Sequence, residues 1–174
     1  MEKLESAYPH QEEDKEGVKV SLNKINYVED FTELDEYIKS VGDSEEVGMG
    51  DCLQLVKNDY ITTFSYGANP CVAGIVLTNQ DKLYMFHSAG DELTKEQEEQ
   101  FQDAKNIIIG GSRVALEKLN VEFKGKNIKT IWPLSDSHDF NIVFVKEKNE
   151  FSVKPGLYYC YEESPVSDNF DQLY

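Results

Sequence analysis

Positive charge is what this sequence has least of. Only 17 Lys and Arg stand against 33 Asp and Glu in 174 residues, a formal net charge of −16. Such a surface repels a phosphate backbone, which argues against nucleic-acid binding and makes a basic protein surface the natural partner. The same acidic excess also serves solubility. Long apolar runs are absent too. None approaches the ~20 residues a membrane-crossing helix needs, so no membrane partner is expected. The start, MEKLESAYPHQEEDKEG, carries neither a basic lead nor an apolar signal core. The expectation is a cytoplasmic protein, or one exported by a dedicated secretion system without a classical signal peptide. Cysteine is sparse: Cys52, Cys71 and Cys160 are an odd number at wide spacing with no CxxC. That pattern favours free thiols over disulfides and supplies no paired metal-ligand spacing.

Hydrophobic residues, at 40%, and aromatics, at 11%, are sufficient for a globular core. The chain reads as one α/β domain spanning residues 18–161, between an acidic arm at 1–17 and an acidic tail at 162–174. EDFTELDEYIKSVG has a capping box at Asp30 and Glu33 with Phe31, Leu34, Ile38 and Val41 on one helical face. ELTKEQEEQFQDAKN reads as a polar surface helix with a second capping box at Thr94 and Gln97. SRVALEKLN reads as a third helix, capped by Ser112, with Val114, Leu116 and Leu119 facing a sheet. CLQLVKN, DYITTFSYG, CVAGIVL, KLYMFH, NIIIGG, KTIWPL, FNIVFVKEK and FSVKPGLYYCY are strand-like. The expected architecture is a mixed, largely antiparallel, sandwich-like sheet core of seven or eight strands with about three flanking helices. Trp132 and Pro133 are expected to end a core strand, and His138 to sit in an Asp-rich surface loop.

CVAGIVL and KLYMFH, joined by TNQD, read as a hairpin with two apolar faces. Cys71, Ala73, Ile75, Leu83 and Met85 share one face, and Val72, Val76, Tyr84 and Phe86 the other. A turn centred on Asn79 pairs Ile75 with Leu83, Ala73 with Met85 and Cys71 with His87. Directly opposed residues carry their Cβ atoms ~5 Å apart on one face. A thiolate is a nucleophile, and an adjacent imidazole can take its proton and return it to a leaving amine. Gly67, Asn69 and Pro70 specify a turn that presents Cys71 at a strand mouth near backbone N–H groups. The alternative on the same residues is a buried structural cysteine beside a hydrogen-bonded core histidine.

TTFSYGANPCVAGIVLTNQDKLYMFH, followed by the Gly-Gly of NIIIGG, resembles the chemoreceptor glutamine deamidase (CheD) family. More distantly it is similar to the catalytic domain of the cytotoxic necrotising factor toxins. The resemblance spans Asp51 to Leu119 and implies a cysteine-dependent protein glutamine deamidase. By position, Cys71 is then the nucleophile and His87 the general base and acid. The family's histidine-orienting threonine falls at Ser65, with Thr63 matching by residue type. Asn69-Pro70 stand where the family has Gly-Ser, and SAG follows His87 in place of a longer apolar run. The resemblance implies no cofactor, and a protein substrate with an accessible glutamine. Were an amine to replace water, the same site would be a transglutaminase. The alternative from another class is a non-enzymatic acidic module, inhibitor or decoy, on a deamidase-like scaffold.

Overall fold

Alternating apolar faces on nearly every strand require cover on two sides, and the chain meets that requirement with two stacked sheets and helices outside them. The computed structural model describes residues 25–29, 31–55, 57–146 and 153–163. Ten strands occur among these, in two five-stranded sheets, with three helices: the mixed α/β, largely antiparallel class expected. The first sheet is ordered β1 (Ile25–Tyr27), β10 (Gly156–Glu163), β9 (His138–Val145), β4 (Thr62–Ala68), β2 (Ser44–Glu46). The second is ordered β3 (Cys52–Gln54), β6 (Leu83–His87), β5 (Val72–Thr78), β7 (Ala104–Gly111), β8 (Ile128–Ile131). No helix among the described residues is long and apolar enough to cross a membrane.

The period-2 pattern sorts side chains into layers. On β9, Phe140, Ile142 and Phe144 point into the inter-sheet core with Ala73, Ile75, Leu83 and Met85. Val143 and Val145 point outward onto Leu34, Tyr37 and Ile38 of α1 (Phe31–Val41). On the far side, Val72, Val76, Phe86, Ile107 and Ile109 pack against Phe101 of α2 (Lys95–Gln102) and Leu116 and Leu119 of α3 (Arg113–Glu122). The order of layers is helix, sheet, sheet, helices.

Several local expectations are corrected. The strand count is ten because β1 and β2 are three-residue edge strands too short to show a period. α2 ends at Gln102, and Ala104 already begins β7. On α3, Ala115 joins Leu116 and Leu119 in the core, while Val114 is 71% exposed. Trp132 lies beyond the end of β8 and is 44% exposed, so it closes no core strand. His138 is the first residue of β9 and no longer part of a loop. β10 continues to Glu163, past the expected domain end at residue 161. The capping box at Asp30 and the arm at 1–17 lie outside the described residues, whereas the Thr94–Gln97 box has both of its hydrogen bonds.

Candidate active site

The hairpin register is shifted from the one expected. β5 and β6 pair Leu77 with Leu83, Ile75 with Met85 and Ala73 with His87, so His87 opposes Ala73 and not Cys71. The cause is the turn. Asp81 adopts φ 58°, Asp81 N–H donates to Thr78 O, and Thr78 N–H donates to Lys82 O. This is a three-residue loop with a left-handed third residue, and its centre is Gln80 instead of Asn79. Because the displacement is an even number of residues, the faces are preserved. Cys71 and Ala73 both lie in the inter-sheet layer, and His87, opposite Ala73, stands on that side diagonal to Cys71. Diagonal neighbours of this kind are ~7–8 Å apart at the backbone, within reach of long side chains.

His87 is oriented from the opposite sheet. Ser65 Oγ on β4 lies 2.9 Å from His87 Nδ1 and donates to Val47 O at 2.8 Å. A hydroxyl has one proton, and a backbone carbonyl can only accept. The Ser65 proton therefore goes to Val47 O, and His87 Nδ1 must be the donor to Ser65. That tautomer leaves the lone pair on Nε2, which is buried and has no hydrogen-bond partner. His87 itself is 5% exposed. Burial holds the imidazole below its ordinary pKa, partly offset by the nearby Asp51 carboxylate, so the ring is neutral near pH 7. Thr63 is paired instead with the Asn58 amide at 2.7 Å, while the hydrogen bond of His87 Nδ1 is made with Ser65.

Three groups outside the sequence argument fix the strand end on which His87 sits. Gln97 Nε2 donates to both His87 O and Asp51 O at 2.9 Å, tying α2 to β6. Gly50 N–H donates to His87 O, and His87 N–H to Asp51 O. Ser88 Oγ accepts from Val72 N–H at 2.8 Å and donates to Gly90 O at 2.6 Å. Gln97 was visible only as a capping residue. Ser88 carried no signal, because its role depends on two strands meeting.

Cys71 stands immediately before β5, after the Asn69-Pro70 cis peptide. The Gly-Gly of β7 explains its placement. Gly111 has φ 146°, and a Cβ there would lie 2.3 Å from Cys71 O, so glycine is required for the approach. Ser112 N–H donates to Cys71 O, and Ser112 Oγ, which also caps α3, donates to Pro70 O. Cys71 is 2% exposed. Burial pushes its pKa up, while a hydrogen bond from the Gly90 backbone acts the other way. Cys71 and His87 are therefore a neutral thiol and a neutral imidazole with its basic nitrogen unengaged. Cys160 is core and Cys52 half-buried, both pushed up to about 12 mainly by burial. His138 Nδ1 bonds Ser135 Oγ at the rim. Among the described residues no cluster of His, Cys, Asp or Glu has the arrangement of a metal site. Compared with known proteins, the chain matches no family model and no curated sequence.

Proposed function

We propose that the protein is a cysteine-dependent protein glutamine deamidase. One observation carries this reading: Ser65 imposes on His87 the tautomer whose free lone pair, on a buried nitrogen, shares the inter-sheet face with Cys71. No hydrogen bond joins Nε2 to the thiol at rest, and in this reading a base so held accepts the thiol proton once substrate binding draws the two side chains together. The Cys71 sulfur then attacks the carboxamide carbon, and as the C–S bond forms the carbonyl electrons move onto oxygen as an oxyanion. The His87 imidazolium returns its proton to the departing nitrogen, releasing ammonia and a thioester. Water, deprotonated by His87, cleaves the thioester to glutamate and restores the thiol. A Cys71 held neutral at rest spares the thiol from adventitious oxidation, since the thiolate is the reactive form.

The test follows Cys71 alkylation by iodoacetamide against pH, and the mass gain of amide-to-acid conversion at glutamines of dimethylated casein. Expected are alkylation of Cys71 ahead of Cys160, slowed in His87→Ala, and conversion by wild type that Cys71→Ala abolishes. Equal slow alkylation of both cysteines, with no conversion, would sink the reading. The near-complete burial of Cys71 favours a second reading, an acidic binding module on the same scaffold, for which Cys71→Ala leaves every effect intact.

A further inference from the structure

The chain contains one arginine and one tryptophan, and they meet. The Arg113 guanidinium lies 5.9 Å from the Trp132 ring centroid, and its Nη2 donates to Pro133 O at 2.9 Å. Leu134 is 91% exposed, Val114 71% and Trp132 44%, three large side chains left in water on adjoining segments. Singly such residues need no explanation, whereas several left exposed around one pair of segments mark a contact surface. The group is joined to the Cys71 turn by short links: Ser112 bonds Pro70 O, and Asn69 Nδ2 donates to Asp136 O and His138 O.

The charge about this rim is acidic. Asp136 is nearly fully exposed, Glu117 lies one turn from Val114 on α3, and Glu163 is paired across the sheet with His138. Arg113 and Lys118 on α3 are each engaged with carboxylates already, Asp136 for the first and Asp91 and Glu92 for the second. Exposed apolar side chains with the Glu117 and Glu163 carboxylates nearby fit an apolar segment flanked by cations. The chain's own tail is a poor occupant, since SPVSDNFDQLY brings two acids and no base.

We propose that Val114, Trp132 and Leu134 form the docking surface for a cationic, apolar protein segment, seating its glutamine over Cys71. The position of the glutamine rests on the deamidase reading; the docking surface does not. Because Trp132 is the only tryptophan, its fluorescence reports this surface alone. The probe is a capped peptide, Lys-Leu-Gln-Leu-Lys, compared with Glu-Leu-Gln-Leu-Glu.

The expected result is a blue shift of Trp132 emission with the cationic peptide and affinity about tenfold above that of the anionic one. Binding weakens about tenfold in the Val114→Ser/Leu134→Ser double variant, falls with added salt, and persists in Cys71→Ala. Equal affinity for both peptides, no shift, or an unaffected double variant overturns the proposal. So does shielding of Trp132 from acrylamide in the free protein, concentration-dependent if a second copy covers it and concentration-independent if the tail does. Peptide binding without ammonia release leaves the surface standing and removes the deamidase reading. Ammonia release that ignores Leu134 and Trp132 does the reverse.

Discussion

At the scale of single residues, one hydroxyl proton decides the state of the site. Ser65 spends it on Val47 O and thereby makes His87 Nδ1 a donor. Ser65→Ala should leave a buried Nδ1–H and a carbonyl without partners, costing about 1–3 kcal/mol in urea unfolding. The same variant should shift the imidazole toward the Nε2–H tautomer in nitrogen-detected NMR, and unchanged ring shifts would show that another group orients His87. Titration gives a second expectation. His87 is held below its ordinary pKa by burial, so between the unfolded value and the folded one the unfolded chain binds more protons. Stability from this group is fully present above the unfolded pKa, near 6.5, and is lost as pH falls through the folded pKa. The urea midpoint should fall with acidification below that point, less steeply in His87→Asn, whose side chain does not titrate.

At the scale of elements, the site is made where strand ends converge. β4, β6, β7 and β8 end, and β5 and β9 begin, at one end of the sandwich, which carries Cys71, His87, Gly111 and Trp132. Tyr161 of β10 ties the two sheets there, accepting from Gly111 N–H and donating to Ile131 O. β7 approaches Cys71 too closely for any side chain at Gly111. Gly111→Ala combines a strained φ with a clash against rigid backbone and should cost about 2 kcal/mol or more. It should also change the alkylation rate of Cys71, because the Ser112 bonds to Pro70 and Cys71 ride on the same turn. A variant with wild-type stability and reactivity would show that the turn relaxes freely.

At the scale of the whole molecule, charge opposes compactness. With −16 spread over 174 residues, repulsion among like charges works against the folded state. Ion pairs among the described residues, such as Lys39–Asp35 and Lys105–Asp81, have a substantially exposed cation and offset little of this. Raising sodium chloride from about 0.02 M to about 0.3 M should therefore raise the thermal midpoint, since the Debye length shrinks below the spacing of most surface charges. A midpoint that falls with salt would mean that favourable ion pairs outweigh the repulsion.

Period and cap chemistry by themselves determined much of this protein. The two faces of the β5–β6 hairpin, the Thr94–Gln97 box, the Ser112 cap and the α/β class all follow from spacing along the chain, because each depends on residues a few positions apart. Ser65 and Thr63 were both raised by the family resemblance, Ser65 by position and Thr63 by residue type, and only the stacking of the two sheets put the Ser65 hydroxyl on His87. The register was decided by Asp81 entering the left-handed region, a choice that a TNQD turn leaves open. The exposure of Val114 and Trp132 was likewise invisible, since an apolar residue next to a helix cap or strand end reads as core until the neighbouring layer is placed. The His87 tautomer required Val47 O, eighteen residues from Ser65 in sequence, to be brought to it. Contacts local in the chain were legible, and those made by one sheet laid on another were fixed only by the tertiary structure.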